Sequence, residues 1–361
     1  MKIKISGYHF ILAIFCSIFP SLHGKKILLT GGAGFIGSHV AQKLLERGDS
    51  VIIVDNINDA YDHRIKEYNL SLVAKSDRGG HLSIHKIDIC DVTAMEKLCI
   101  QEQPNVICHL AARAGVRPSI DNPQEYFRTN NNGTLTIFEV ARKCGVNHVV
   151  CASSSSVYGA RENGPFRETD PVDKQSSPYG MTKRAGELLA YVYYHLFGVS
   201  STNLRFFTVY GPRGRTDMAP FIFMDAIYHE RPITVYGDGS AIRDFTYVDD
   251  IVQGVIKAID ISAGYQIVNI GRGEPIVLSD FIKIMESIIE KKSDINYVPS
   301  FSGDVPQTHA SIEKARALFH YTPHTSVRNG LERMYEWYKN EYLPVVGHKR
   351  THISEIYILE D

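Results

Sequence analysis

The sequence predicts an α/β protein in which a doubly wound parallel sheet is covered by helices on both faces and joined to a smaller α/β lobe. Two observations carry this prediction. Short apolar runs typical of buried strands alternate with helical stretches through residue 206, and a glycine-rich turn separates the first strand from the first helix. Because a buried parallel strand is apolar along its whole length, such runs indicate a sheet with both faces covered.

The elements follow one another in a regular order along the first half of the chain. Strands are predicted at 27–29, 51–54, 82–87, 106–110, 149–152 and 202–206, with helices at 35–47, 124–143 and 179–196. After residue 206, prolines and glycines interrupt the alternation, and one further helix is predicted at 278–291. We therefore expect four segments: an N-terminal hydrophobic extension at 1–24, a sheet domain at 25–206, a smaller lobe at 207–342 with segments returning to the sheet, and a tail at 343–361.

Length and charge exclude some classes of function. A chain of 361 residues exceeds the usual size of one hydrophobic core, which fits a large domain with an added lobe. Its 39 Lys and Arg residues are balanced by 40 Asp and Glu residues. Proteins that bind nucleic acid carry a marked basic excess, so we expect no nucleic acid partner, while a local basic pocket for a small anion stays open.

The cysteines predict neither a metal site nor a disulfide framework. The six are Cys16, Cys90, Cys99, Cys108, Cys144 and Cys151. Their spacing contains no CxxC pair and no His/Cys cluster of the zinc type. Several lie inside apolar runs, where cysteine behaves as a small buried hydrophobic residue. We expect free thiols in a reducing compartment and no bound metal.

The turn after the first strand carries glycines at every third position: Gly31, Gly34 and Gly37. Residues without Cβ allow the tight turn, the approach of a pyrophosphate to backbone N–H groups, and close packing of helix on strand. Asp55 ends the second strand, 18 residues after Gly37. A carboxylate there accepts hydrogen bonds from ribose hydroxyls and repels a 2′-phosphate. The pattern predicts a Rossmann-type domain that binds NAD rather than NADP.

Residues 1–24 leave three interpretations open. Lys2 and Lys4 precede a mostly apolar stretch at 8–22, which is short for a membrane span and resembles the hydrophobic region of a signal peptide. The segment is a membrane anchor, a cleaved signal, or an extension without a role in the fold. Because the domain that follows needs a dinucleotide found in the cytosol, we expect a cytoplasmic enzyme whose residues 1–24 are the part that could contact a membrane.

Tyr179 and Lys183 are the residues expected to carry the chemistry. They are four apart at the start of a predicted helix, so both side chains lie on one face. A nearby lysine cation favours the phenolate and lowers the pKa of the tyrosine, which could then remove a proton from a sugar hydroxyl. The spacing alone is common in surface helices. It gains weight from the serine row at 153–156, because hydroxyls at the carboxyl end of a strand lie beside the ligand crevice.

Together these residues resemble the extended short-chain dehydrogenase/reductase family, the NAD-dependent nucleotide-sugar epimerases and dehydratases. The resemblance covers residues 25–338 and includes the 109–112 and 243–245 motifs. It implies that Ser154, Tyr179 and Lys183 are catalytic. It implies that NAD is bound by Gly31, Gly34, Phe35, Ile36, Gly37, Asp55, Asp88, Ile89, Leu110, Ala111, Ala112, Asn130 and Phe206, together with Tyr179 and Lys183. It implies that the substrate is bound by Ser155, Ser156, Thr208, Arg213, Arg215 and Arg243.

The resemblance also narrows the reaction. Related 4,6-dehydratases carry an Asp-Glu pair where Ser155 and Ser156 stand, and UDP-glucuronate decarboxylases carry a Glu at the position of Ser156. Both acids are missing, so simple oxidation and re-reduction of one carbon is expected. The stretch 204–220 is most similar to UDP-glucuronate 4-epimerases, in which the matches of Thr208 and Arg215 contact the sugar carboxylate. A solvated loop or a diphosphate contact remains the alternative for Arg213 and Arg215.

Two other functions stay open. One is a UDP-glucose 4-epimerase or another nucleotide-sugar epimerase on the same scaffold, which would accept a neutral sugar. The other is a non-catalytic regulator that binds NAD; the retained Tyr179, Lys183 and serine row argue against it. Members of the family often dimerise through a four-helix bundle, for which the helices at 124–143 and 179–196 are the candidates, so a homodimer is expected.

Overall fold

The computed structural model describes residues 24–300 and 303–347. The predicted hydrophobic extension lies outside the described residues except for Gly24, and so does most of the predicted tail at 343–361. Within the described ranges, no helix has both the length and the apolar character needed to cross a lipid bilayer.

The described chain forms thirteen strands and twelve α-helices. The strands are β1 Lys26–Thr30, β2 Ser50–Val54, β3 Leu82–His85, β4 Val106–His109, β5 His148–Ser154, β6 Ser200–Phe206, β7 Thr208–Tyr210, β8 Ile233–Tyr236, β9 Ile242–Arg243, β10 Phe245–Tyr247, β11 Tyr265–Ile270, β12 Ile276–Val277 and β13 Ile295–Val298. The helices are α1 Phe35–Arg47, α2 His63–Ser76, α3 Val92–Glu102, α4 Val116–Asp121, α5 Pro123–Phe127, α6 Gly133–Cys144, α7 Pro178–Phe197, α8 Ala219–Tyr228, α9 Val248–Asp260, α10 Leu278–Ile289, α11 Glu313–Phe319 and α12 Val327–Trp337.

Seven strands form one central sheet in the order β11-β6-β5-β4-β1-β2-β3. Every neighbouring pair in this sheet is parallel. The six strands predicted from the sequence are all present, and β11 is a segment of the second half that returns to the sheet beside β6. The predicted α/β class with a doubly wound parallel sheet is confirmed.

The sheet is buried on both faces by two separate hydrophobic clusters. Successive residues of β1 point to opposite sides: Ile27 and Leu29 join a cluster with α1, α2 and α9, and Leu28 joins one with α3, α6 and α7. All three side chains are fully buried. This explains why the strands are apolar throughout instead of alternating with polar residues.

The helix predicted at 124–143 is not regular throughout. A π-helical segment, Arg128–Asn132, joins α5 to α6 without a break in the helical path. The helical periodicity of the sequence does not reveal a single wider turn, so the π segment was not predicted. Such π segments are common at functional sites, and this one carries Asn130.

The second half builds the smaller lobe on the carboxyl edge of the sheet. It contains three two-stranded sheets: β7 with β10, β8 with β13, and β9 with β12. Helices α8, α10 and α12 pack with them, and Tyr210 of β7 lies against Phe281 of α10. The first of these strands, β7, begins two residues after β6 ends, so this part of the chain starts at the carboxyl edge where the sequence places the reacting residues.

Candidate active site

The candidate site lies where the strand order reverses. From β1 the chain adds β2 and β3 on one side, and then returns to add β4, β5 and β6 on the other. In open parallel sheets such a reversal is the usual place of a ligand crevice, at the carboxyl edge and beside the segments that follow the two central strands, here β1 and β4.

The glycine turn follows β1 in the conformation that the sequence predicts. Gly31 has φ +75°, and a Cβ on it would lie 2.7 Å from the backbone N of Ala111. A Cβ on Gly37 would lie 2.1 Å from the backbone O of Gly31, so the helix could not approach the turn. Gly34 precedes α1 and has no side chain to cover the first N–H groups, and Phe35 and Ile36 open the helix. These N–H groups form a fitting cradle for the diphosphate of a dinucleotide.

Asp55 stands beside this turn at the end of β2. Its two carboxylate oxygens accept hydrogen bonds from the backbone N–H of Ala33, at 3.1 Å, and of Ile57, at 2.9 Å. Burial raises the pKa of the carboxyl, while Lys66 and the two N–H groups act in the opposite direction. The carboxylate thereby links the glycine turn to the loop after β2, and its remaining lone pairs suit ribose hydroxyls.

Asp88 and Asn130 shape the neighbouring wall of the crevice. Asp88 accepts hydrogen bonds from the N–H of Cys90 and from Arg128, which lower the pKa of its carboxyl although burial acts against them. Asn130, on the π segment, bonds both the N–H and the carbonyl of Arg113. It thus fixes the loop after β4. The other predicted cofactor residues line the same region: Ile89 is buried beyond β3, and Leu110, Ala111 and Ala112 directly follow β4.

Lys183 reaches the end of β5 from the first turns of α7. Its Nζ donates a hydrogen bond to the carbonyl of Ala152 at 2.9 Å. Burial lowers the pKa of this ammonium to about 8. The group is therefore a desolvated cation near neutral pH, directly behind the serine row.

Tyr179 lies one turn before Lys183 with its phenol beside Ser154 and Arg215. Burial raises the pKa of the phenol, whereas the Ser154 hydroxyl and the Arg215 charge act to lower it. The lowered pKa expected from the sequence is therefore wrong for the protein in this structure, because desolvation outweighs the nearby polar groups. The backbone N–H of Tyr179 donates to Ser119, which anchors the start of α7 to α4.

The serine row spans the end of β5 and the start of the turn that follows it. Ser154 ends the strand, and its Oγ lies 3.1 Å from the Oγ of Ser156 and accepts from the Ser156 N–H at 3.2 Å. Ser155 and Ser156 begin a 3₁₀ turn that extends to Tyr158. Phe206 is the register partner of Ser154 on β6. Ser154, Ser156 and Phe206 thus meet at one strand end.

Of the predicted substrate residues, Thr208 and Arg215 lie on this side of the site. Thr208 begins β7, two residues beyond Phe206. Arg215 donates through Nε and Nη2 to the carboxylate of Asp217, at 3.0 and 2.5 Å, and through Nη2 to the carbonyl of Ala114, at 3.0 Å. A charged fork therefore stands near the Tyr179 phenol, already oriented on one edge.

Arg213 and Arg243 are placed differently. The buried Arg213 guanidinium lies against α1, 3.2 Å from His39 and 3.1 Å from Gln42, and its hydrogen bonds run away from the serine row. Arg243 bonds Asp304 at 3.1 Å and the carbonyl of Pro306 at 3.2 Å. Burial lowers the pKa of both guanidinium groups. Arg243 belongs to the smaller lobe, where a diphosphate contact remains open to it, and Arg213 joins the lobe to the sheet domain.

The sequence profile of the NAD dependent epimerase/dehydratase family matches residues 27–271. The chain belongs to this family. A UDP-glucuronate 4-epimerase of Thermodesulfobacterium geofontis (strain OPF15) is 43% identical over 313 residues, which cover 86% of this chain and 95% of that protein. UDP-glucuronate 4-epimerase 1 of Arabidopsis thaliana is 40% identical, over 88% of this chain and 78% of its own.

Solved epimerase structures share the fold. The UDP-glucuronic acid 4-epimerase of Bacillus cereus, in complex with UDP-glucuronic acid and NAD, superposes with a TM-score of 0.81 at 35% identity, covering 87% of this chain and 99% of that one. A UDP-glucose 4-epimerase of Thermotoga maritima, with UDP-glucose, reaches 0.80 at 30% identity, covering 88% and 99%. The resemblance drawn from the sequence is confirmed.

Three residues that shape the site were not predicted from the sequence: Tyr61, Tyr126 and Asp217. Tyr61 lies above the glycine turn, its hydroxyl 3.9 Å from where a Cβ on Gly34 would stand. Tyr126 packs edge-on against the Tyr179 ring, at 6.2 Å, and donates to the carbonyl of Ala114 at 3.0 Å. Asp217 holds Arg215. None stands in a recognisable spacing, because each reaches the site through contacts between separate loops.

Proposed function

We propose that this NAD-dependent epimerase interconverts UDP-glucuronate and UDP-galacturonate by oxidising carbon 4 of the sugar and reducing it again from the other face. The single observation that carries the proposal is the placement of the Arg215 cation next to Tyr179. Arg215 donates to the Ala114 carbonyl at 3.0 Å, and the same carbonyl accepts the hydroxyl of Tyr126, whose ring packs against the Tyr179 ring. Relatives named UDP-glucuronate 4-epimerase support it at 43% and 40% identity.

Tyr179 acts as the base that takes the proton of the sugar 4-hydroxyl, and Ser154 holds that oxygen by a hydrogen bond. When bound, NAD takes up the hydride from carbon 4 and returns it, and its positively charged nicotinamide ring favours the Tyr179 phenolate. Arg215 and Ser154 already lower the pKa of the phenol against the effect of burial. Lys183, whose pKa is about 8, bonds the Ala152 carbonyl behind the strand end and is the residue proposed to hold the cofactor there. The same phenol returns the proton after the 4-keto sugar has turned.

The residues around the sugar are suited to an acid. The Arg215 guanidinium matches a carboxylate through its planar N–H donors, and the hydroxyls of Thr208, Ser155 and Ser156 are proposed as further donors to that carboxylate. A carboxylate held firmly stays out of the alignment in which the neighbouring 4-ketone would release carbon dioxide. Arg243, at the lobe, is the candidate for the diphosphate.

The protein is further proposed to work as a homodimer. Helix α7 exposes apolar side chains that a soluble surface would rarely show in one row: Leu188 is 51% exposed, Val192 44% and Leu196 61%. Leu135 on the adjacent α6 is 43% exposed. Two copies of this helix pair would form the four-helix bundle expected from the sequence. The cytoplasmic location also stays a proposal, because it rests on the supply of NAD.

The first test mixes purified protein with UDP-glucuronate, without added NAD, and follows the anomeric signals by NMR, with UDP-glucose in parallel. We expect UDP-galacturonate from the first and no product from the second. Conversion of UDP-glucose alone would show a neutral-sugar epimerase instead. The structural similarity to the UDP-glucose 4-epimerase of Thermotoga maritima is the observation that favours this alternative. No conversion of either sugar, with NAD verified in the protein, would favour the regulator.

The variant Tyr179→Phe tests the base. It should abolish turnover while the protein still binds NAD, because only the hydroxyl is removed. Tyr191→Phe on the same helix, whose side chain is half exposed, is the matched control and should retain the wild-type rate. Turnover by Tyr179→Phe at the wild-type rate would refute the assignment.

A further inference from the structure

Arg215 has a carboxylate partner of its own. The side chain of Asp217, two residues along the chain, accepts the Nε–H and one Nη2–H of the guanidinium at 3.0 and 2.5 Å. The second Nη2–H points to the carbonyl of Ala114, 101 residues away, at 3.0 Å. Three of the five donors are thereby engaged. In the described ranges, 24–300 and 303–347, no acceptor lies within hydrogen-bonding distance of Nη1, which keeps two free N–H groups.

The two anchors differ in what they fix. Asp217 bonds the Nε edge and so sets the rotation of the guanidinium plane, because two parallel bonds to a planar fork allow one orientation. The Ala114 carbonyl belongs to the loop after β4 and also accepts the hydroxyl of Tyr126, whose ring packs against Tyr179. The loop after β4 therefore contacts both the Arg215 guanidinium and, through Tyr126, the catalytic phenol of Tyr179.

The partial burial of both side chains bears on what the ion pair between Arg215 and Asp217 does. The Arg215 side chain is 17% exposed, and that of Asp217 is 37% exposed. A surface arginine gains little from an aspartate partner, but a largely buried one that must bind an anion gains orientation before the ligand arrives. We propose that Asp217 is a positioning residue for the substrate: together with the Ala114 carbonyl it aims the two free Nη1–H groups of Arg215 at the carboxylate of a UDP-sugar acid. This inference rests on the proposed function.

A loosely held carboxylate has a chemical consequence. In the 4-keto sugar acid the carboxylate is β to the ketone. If the C5–C6 bond aligns with the carbonyl π system, it breaks, its electron pair forms the enolate of the ketone, carbon dioxide leaves, and C5 takes up a proton. The hydride removed from carbon 4 then stays on the cofactor. Misplacement of Arg215 should therefore divert the reaction to a 4-keto pentose and leave reduced nicotinamide behind.

The test compares Asp217→Asn with wild-type holoenzyme. Asparagine keeps the shape but loses the charge and one acceptor, so we expect the Kd for UDP-glucuronate to rise about ten-fold. It is measured by calorimetry in a Tyr179→Phe background, which prevents turnover. The Kd for UDP-glucose, which has no carboxylate, should stay within two-fold, roughly the scatter of such measurements. In the active enzyme, the ratio of 4-keto pentose to UDP-galacturonate and the near-ultraviolet absorbance of reduced nicotinamide should both increase.

The matched control is Asp260→Asn. Asp260 also pairs with an arginine, Arg47, and is exposed to a similar degree at 39%, but it lies far from the crevice at the end of α9. It should change neither affinity nor product ratio. If wild-type protein fails to epimerise UDP-glucuronate, the proposed function itself falls. If wild type is active and Asp217→Asn binds and partitions like it, or binds UDP-glucuronate more tightly because the aspartate competes, this inference alone is overturned.

Discussion

Glu187 connects the two catalytic elements through a buried charge. Its carboxylate accepts from Ser153 on β5 at 2.7 Å, from Nε and Nη2 of Arg205 on β6 at 2.7 and 2.8 Å, and from Arg184 at 3.1 Å. The Glu187 side chain is 0% exposed and that of Arg205 is 1% exposed. Ser153 immediately precedes Ser154, and Glu187 stands one turn after Lys183 on α7.

Replacing Glu187 by Gln should destabilise the fold strongly. The amide keeps the volume but leaves the Arg205 guanidinium as an uncompensated buried charge, and removing one partner of such a pair costs about 3–5 kcal/mol. In a domain of this size that loss corresponds to a fall in Tm of about 5–10 °C. Since Ser153 also loses a charged acceptor, we expect turnover to fall about ten-fold while NAD is still bound.

Scanning calorimetry and urea unfolding measure the first effect, and steady-state epimerisation the second. The control Glu46→Gln breaks a surface pair with Lys43, both partners well exposed, and should shift Tm by less than about 1 °C. A second variant, Glu187→Leu with Arg205→Met, removes both charges and should recover most of the lost stability. A Glu187→Gln protein with wild-type Tm would refute the argument that the charge of Arg205 depends on this carboxylate.

Two further predictions follow from the crevice itself. Gly37→Ala should weaken NAD binding by at least about ten-fold, because the new Cβ would meet the Gly31 carbonyl at 2.1 Å. Calorimetry on protein stripped of cofactor measures the affinity. The control Gly186→Ala should bind NAD normally, since its Cβ would meet only a methyl of Thr134 at 3.9 Å. Lys183→Met should stabilise NAD-free protein at pH 7 by up to about 3 kcal/mol, because folding lowers the pKa of this lysine from 10.5 to about 8 and charging it in the folded state is unfavourable. The stability of the wild-type protein should accordingly rise between pH 8 and 10.5, and urea unfolding of the variant should lack the rise that comes from this group. Equal pH profiles for the two proteins would contradict the desolvation of the Lys183 ammonium.

The sequence alone determined the frame of the protein. Apolar strands, the glycine turn and Asp55 are local patterns, since a strand records its burial in its own residues and a turn without Cβ is written in consecutive positions. For the same reason the six strands of the first half and the helices α1, α7 and α10 stand close to where periodicity predicts them. The π segment around Asn130 was not predicted, because one extra residue does not visibly change the periodicity of apolar residues along a helix.

Only the tertiary structure decided how the reacting groups are tuned. The spacing of Tyr179 and Lys183 places them on one face, but desolvation, which depends on everything packed around them, raises the pKa of the phenol and lowers that of the ammonium. Likewise, Arg213 and Arg215 are near neighbours in sequence, yet one packs against α1 and the other faces Tyr179. Side chains two positions apart in a loop take their directions from contacts with distant residues, such as Ala114, and those contacts exist only once the chain has folded.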